Sequence, residues 1–398
     1  MLILLLLLAQ APPPTAGLYN KAREQMADVL ARQTNYTCLE TIDRSEQVRA
    51  KTKFEVIDSL RFEIAFVDRK ELYAWPGSKK FDDTSILDMV PDGAAISTGA
   101  FAGHAEYLFR SNIATVKIGD WVEENGKRYA RYPFQVPAAR SRYTLMKSKK
   151  DSNVVGYSGE IWIDPFTARV IRITLHADDI PPKLDIQKTS TRIDYASAKI
   201  GEREFWLPAQ SVEELTNSGG RTDRNITKFS GCRAFTGEST LRFDDGPIET
   251  AAAEVIQEIE LPPGLWFEIQ FDESLSSVKV HVGDLIAATL TSDLRQKGTV
   301  LFPKGSEVEI RLVRLKRMPD AILLEFALGE VKSKTATARL LAIPDAGNRP
   351  RGTVGPAAPQ SYGDRLRPGL GTFFIRGDRA TLRKGYRSIW VTVPKTEK

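Results

Sequence analysis

The chain has 398 residues, 42% of them hydrophobic and 27% charged, with a formal net charge of +5. Two cysteines exclude a disulfide-dense scaffold, and two cysteines with three histidines (His104, His176, His281) are a poor supply of ligands for a structural zinc site, so no metal or cofactor is expected. What is left is ordinary globular material, long enough for two or three domains.

Residues 2 to 9 form an apolar run of eight, followed by Ala9-Gln10-Ala11, a small-x-small pattern. Residues 1–17 therefore read as a secretory signal peptide, with cleavage after Ala11 or nearer Ala16 and Gly17. The run is shorter than the roughly 20 residues a membrane span needs. The mature protein is expected in the periplasm or secreted, without a transmembrane segment.

A first domain is expected over 18–245. Leu18, Ala22, Met26 and Val29/Leu30 make one apolar stripe, which predicts a helix over 18–33. The period then changes to two. Leu60, Phe62, Ile64 and Phe66 alternate with other residues in a strand with one buried face, which turns at Asp68-Arg69-Lys70 and returns through Trp75. Ser97 and Thr98 predict the cap of a helix carrying Phe101, His104, Ala105, Leu108 and Phe109, with His104 partly exposed. Strands resume with a hairpin at Asn125-Gly126, two strands around Asp164-Pro165-Phe166-Thr167, and further strands up to Phe235. Helices inserted among antiparallel strands describe an α+β domain.

Export bears on the cysteines. Two thiols in an oxidising compartment most simply pair, Cys38 to Cys232, although two separate buried thiols or a catalytic cysteine also fit the sequence. A bond here would close a very long loop and contribute on the order of 4–5 kcal/mol in the chain-entropy model.

Residues 246–264 read as a linker. Residues 265–343 are short strands and turns, a small β-barrel or sandwich. Residues 344–371 hold five Pro and six Gly, a spacer, and 372–398 look like two more strands that complete the β domain or dock elsewhere. From Asp345 onward there are 11 Lys or Arg against four Asp or Glu. That basic tail is a solvated surface or a contact for an anionic envelope surface or an envelope protein. No nucleic-acid recognition pattern occurs.

Catalytic signals are absent: there is no P-loop, HExxH or CxxC. Gly156-Tyr157-Ser158-Gly159-Glu160 resembles a nucleophile elbow but lacks the second glycine at its proper spacing. His176 and Asp178 share a strand face and read as a solvated strand end, with a metal pair or a hydrolase as the sharper alternative. Asn35 and Asn225 sit in glycosylation sequons. What stands out is apolar. Phe62, Ile64, Phe66, Trp75 and Trp162 are candidates to line a greasy pocket in a curved sheet, or simply to form its core.

The order of helix, strands, helical insert and strands, with the hairpin GEIWIDPFTARVIRI, resembles the outer-membrane lipoprotein carriers and sorting proteins of the bacterial envelope. Envelope proteins with a Tyr-x-Cys-x-x-Thr-x-x-Arg opening (Tyr36, Cys38, Thr41, Arg44) and a Cys-Arg-x-Phe ending (Cys232, Arg233, Phe235) are similar over 18–245. The resemblance implies a curved antiparallel half-barrel with helices on its concave face, able to hold acyl chains. No lipid-contact residue carries over. The second unit is similar, through Val282-Gly283-Asp284, Ala287 and Pro303-Lys304-Gly305-Ser306, to the β-domain of TrbI-like secretion-channel subunits. The expected function is a non-enzymatic envelope protein binding a lipid, lipoprotein or other hydrophobic ligand. The alternative is a structural or assembly module with a packed core.

Overall fold

The computed structural model describes residues 14–32, 36–78, 81, 85–90, 95–148, 150–234, 256–345, 369–377, 379 and 381–395. Residues 1–13 of the leader, 246–255 of the linker, 346–368 of the spacer, Asn35 and Phe235 lie outside them.

Helix α1 (Ala16–Arg32) buries Ala22, Met26 and Leu30, the stripe expected from the 3.6-residue period. The strands that follow are β1 (Tyr36–Gln47), β2 (Glu55–Val67), β3 (Lys70–Ala74), β4 (Thr115–Val116), β5 (Asp120–Glu124) and β6 (Lys127–Val136). After a ribbon of β7 (Thr144–Met146) and β8 (Ser152–Val154) come β9 (Gly156–Ile163), β10 (Val170–Asp178), β11 (Ile186–Ile200), β12 (Arg203–Asn217) and β13 (Thr222–Ala234). All but the ribbon form one 11-stranded sheet in the order β3-β2-β1-β13-β12-β11-β10-β9-β6-β4, with β5 also on β6. The pairing is antiparallel throughout and the sheet curls into a half-barrel. Register shifts at Thr37/Leu39 and Asp194/Tyr195 mark β-bulges, which raise the local twist and let long strands curl.

Neighbours in this sheet are close in sequence except at one seam. There β1 lies on β13, with Tyr36 opposite Ala234 and Gln47 opposite Thr222. The turns follow their residues. Asn125 and Gly126 take φ of 51° and 73°, the left-handed pair that a two-residue hairpin requires. Asp164 accepts hydrogen bonds from the amides of Phe166 and Thr167 and so holds the β9–β10 turn.

The expected capped helix after Ser97 and Thr98 differs from what is observed. Helix begins at Gly103 and continues as a π-type turn over Glu106–Arg110. The reason is tertiary: Glu71 on β3 accepts hydrogen bonds from the amides of Gly99, Ala102 and Gly103, work that a local serine cap would otherwise do. Ser97 instead donates to Glu213. Among the described residues no helix is long and apolar enough to cross a membrane.

The second part of the chain forms β14 (Gln257–Glu258), β15 (Trp266–Phe271), β16 (Leu275–Ser276), β17 (Leu285–Leu290), β18 (Leu294–Gln296), β19 (Thr299–Phe302), β20 (Glu307–Arg317), β21 (Ala321–Lys332), β22 (Ala336–Arg339), β23 (Ala342–Pro344), β24 (Leu370–Arg376), β25 (Thr381–Leu382) and β26 (Arg387–Thr392). Nine of them make a second sheet, ordered β14-β22-β21-β20-β17-β15-β26-β23 with β24 on β21. The pairs β16–β25 and β18–β19 are separate ribbons. Strand β26 lies between β15 and β23, and Trp390 at its centre is fully buried. Gly371 leaves room for that indole, since a Cβ there would collide with the Trp390 ring.

The two sheets touch where β3 stops short. The uncovered edge of β2 is taken by Val282: the Arg61 amide donates to the Val282 carbonyl, and the Val282 amide donates to the Ser59 carbonyl, both at 2.8 Å. Arg61 pairs with Asp284 at 2.9 Å, and Arg311 donates to the carbonyls of Pro76 and Gly283. Gly283, at φ 107°, lies against the Arg61 carbonyl and the Trp75 ring, an approach that no side chain would allow.

Candidate functional site

Alternation along β1 puts Tyr36, Cys38, Glu40, Ile42 and Arg44 on one face. Register sets Ile64, Phe62, Leu60 and Asp58 opposite the last four of these on β2. On β13, Phe229, Thr227 and Asn225 lie opposite Glu40, Ile42 and Arg44. Phe62, Ile64 and Phe66, three of the residues expected to line a pocket, are thus brought together on a buried face, with exposures of 0%, 0% and 1%. They share it with charges.

Arg44 forks onto Asp58, Nε to Oδ1 at 2.7 Å and Nη2 to Oδ2, with both side chains almost wholly buried. Glu40 lies between Phe62 and Phe229, and its Oε2 has no hydrogen-bond partner. Burial, with the negative charges of Glu71 and Glu213, pushes the Glu40 carboxyl well above the usual carboxyl range. Glu213 on β12 is pushed up to about 8 by burial and by Glu71. Tyr73 donates to Glu71, and its phenol is pushed well up by burial and the surrounding carboxyls. His104 is buried, contrary to its expected exposure. Its ring meets Tyr143 edge-on at 5.7 Å, and burial lowers its pKa against the pull of Glu71. The short helix turns inward here because Glu71 anchors its start. Tyr195 Oη and Ser211 Oγ, also buried, have no hydrogen-bond partner. The cluster presents carboxyls whose burial favours the protonated form and hydroxyls without partners, which is hydrogen-bonding capacity held in a low-dielectric interior. It does not form a metal site: no grouping of His, Cys, Asp and Glu among the described residues is arranged to hold an ion.

The half-barrel is apolar on its other side. Tyr132, Phe134, Tyr157, Ile161, Ile173 and Leu175 are buried, with Tyr143 against Tyr157 at 5.6 Å and Tyr19 of α1 against Tyr132 at 5.6 Å. Two expected pocket residues lie elsewhere. Trp75 stacks on Phe62 at 5.1 Å and faces Gly283 and Arg311 of the second sheet, so it belongs to the junction. Trp162 alternates with the buried Ile161 and Ile163 and so points to the opposite face, under Arg172 at 4.9 Å and bonded to Glu160.

His176 and Asp178 do come together with Ser158, the serine of the elbow-like stretch, beside a groove of about 440 Å³. Ser158 Oγ lies 3.0 Å from His176 Nε2 and 2.7 Å from Asp178 Oδ1. In a working triad the carboxylate holds the other ring nitrogen of the histidine. Here the serine proton goes to Asp178, and the amides around Ser158 belong to the ladders with β6 and β10. The trio is a cross-strand hydrogen-bond network on an exposed sheet face.

Cys38 and Cys232 form a disulfide across the seam between β1 and β13, at the bulge beside Gly231, whose φ is 56°. The Tyr-x-Cys-x-x-Thr-x-x-Arg opening and the Cys-Arg ending therefore have structural work. Cys38 and Cys232 close the seam, Arg44 binds Asp58, and Arg233 binds Glu63 at 2.6 Å.

No protein-family model matches the chain, and comparison with curated proteins finds no match. Among solved structures, a LolA superfamily protein of Nitrosomonas europaea is similar over 59% of this chain and 99% of its own, at 10% identity and a TM-score of 0.29. A DUF1329 family protein of Desulfovibrio piger is similar over 57% of this chain and 96% of its own, at 13% identity and a TM-score of 0.31. Neither likeness carries a functional argument, which rests on the residues.

Proposed function

We propose that this chain is a non-catalytic protein of the bacterial cell envelope whose half-barrel takes up the acyl chain of a lipid or lipidated protein. One observation carries the reading. Helix α1 packs on the first sheet through Tyr19 against Tyr132 at 5.6 Å, and it contributes only Ala22, Met26 and Leu30 as fully buried side chains. Uncovering those three side chains costs about 5 kcal/mol, whereas an acyl chain burying roughly a dozen methylenes returns about 10 kcal/mol. On this reading an acyl chain takes the place of α1 against the sheet, its surplus of burial set against the cost of association. The disulfide supports an oxidising compartment, and the basic C-terminal stretch is the proposed contact with an anionic envelope surface or partner protein.

Native mass spectrometry of protein purified from its own compartment tests this. Bound lipid, or uptake of monoacyl lipid probes, is expected; a uniformly empty protein that takes up no probe overturns it. The rival is a structural module, favoured by the complete burial of Phe62, Ile64 and Phe66. Under it, Phe62→Ala costs about 3–5 kcal/mol of stability and no ligand affinity is lost.

A further inference from the structure

We propose that a cleft at one end of the half-barrel is the binding site for a phosphate group, and that, on the acyl-chain reading above, this phosphate is the headgroup of the same ligand. The cleft, of about 500 Å³, lies between the β2–β3 turn, the end of the helical segment and the turn after β6. Four arginines line it: Arg69, Arg110, Arg140 and Arg142. Among the described residues, one carboxyl answers them. Glu106, 1% exposed, pairs with Arg69 at 2.8 Å and with Arg110 at 3.1 Å from beneath. Those two arginines still leave much of their side chains in solvent, 59% and 40%. Arg140 and Arg142 are exposed, and Arg142 lies over the Tyr107 ring at 5.8 Å. A phosphate monoester, with a charge of about −1.5 to −2 and three acceptor oxygens, suits such an array of planar donors better than a single carboxylate does.

Two lining residues of the cleft are followed in the chain by residues of the apolar interior. Tyr107 lines the cleft while its neighbours Leu108 and Phe109 are buried in the core. Arg142 lines the cleft while the next residue, Tyr143, packs edge-on against Tyr157. An anion held here would have its substituents directed along a wall that leads to the aromatic side of the half-barrel.

The test is calorimetry on the full mature chain with three probes: monoacyl phosphatidic acid, monoacyl phosphatidylcholine and glycerol 3-phosphate, the lipids as monomers. The anionic lipid is expected to bind at least tenfold tighter than the zwitterionic one. Arg140→Gln/Arg142→Gln, at two exposed positions, is expected to weaken the anionic lipid at least tenfold, and the zwitterionic lipid with its phosphodiester less, so that the preference is lost while the melting temperature is unchanged. Unchanged preference in the double variant overturns the cleft but leaves the acyl-chain reading intact. Arginine-dependent binding of glycerol 3-phosphate with no binding of either lipid supports the cleft and sinks the acyl-chain reading. No binding of any probe overturns both.

Discussion

The second sheet closes on Ile269, Phe271, Ile310, Leu324, Phe326, Phe373 and Trp390, and its buried polar residues are hydroxyls: Ser277, Ser306, Ser388 and Thr392. The first sheet closes on a comparable set of aromatics but also buries Glu40, Arg44, Asp58, Glu63, His104, Glu106, Glu213 and Asp223. Among the described residues, every buried Asp, Glu, Arg and His lies in the first part of the chain. An apolar core is the cheaper way to hold a sheet together, and buried ionisable groups cost free energy unless paired. The second sheet meets the demands of folding alone. The first holds structural ion pairs, Arg44–Asp58 and Arg233–Glu63, and beside them Glu40 and Glu213, whose raised pKa values are of the kind that concentrates at sites that bind or switch.

The contrast is sharpest under reduction. Replacing Cys38 and Cys232 by serine is expected to lower the stability of the first sheet by up to about 5 kcal/mol, from the loop entropy of a very long crosslink. Calorimetry should then separate a depressed first transition from an unmoved second one; a common shift of both would break the comparison. Asp58→Ala strands Arg44 in the interior and is expected to cost about 3–5 kcal/mol in urea melts, most of it recovered in Arg44→Met/Asp58→Leu. A double variant as unstable as the single one would mean that the ion pair is needed for more than charge balance.

Next in size is pH. A carboxyl raised in the native state keeps its proton there longer than in the unfolded chain, so the native state binds more protons and stability falls as pH rises towards the folded value. Glu213, at about 8, and Glu40, also raised, both act in this direction. Between about pH 7 and pH 9 the first transition is expected to weaken by on the order of 2 kcal/mol, with Glu213→Gln flattening the slope and the second transition flat throughout. His104 tilts the balance the other way, but at lower pH, because its pKa is lowered. The smallest effect belongs to the junction. Arg61→Ala removes a part-exposed ion pair with Asp284 and is expected to cost about 1 kcal/mol, read as looser coupling between the two transitions.

Much of the frame was legible. The stripe of Ala22, Met26 and Leu30, the Asn125-Gly126 hairpin and the Asp164 turn each follow from local rules that tertiary contacts did not disturb. The disulfide was the simplest of the three readings that the two cysteines left open, and the structure forms it. The polar interior was not legible, because β1 places Glu40 and Arg44 on the face that alternation reserves for apolar residues. Arg44 finds Asp58 only once the β1–β2 register is known. Trp162 was misplaced by weighing size over parity, since Ile161 and Ile163 already claim the inward positions. The arginine cleft joins residues 69, 110, 140 and 142, whose proximity no spacing announces.

The seam between β1 and β13 has a temporal consequence. A chain made amino end first delivers β1 early and its partner last, with the two thiols 194 positions apart. Until then β1 has only the hairpin beside it, and one edge stays open to rescuers or to aggregation. Closure of the sulfur bond thus certifies that the whole first sheet has arrived, and alkylation of unoxidised thiols during a pulse-chase would time that arrival.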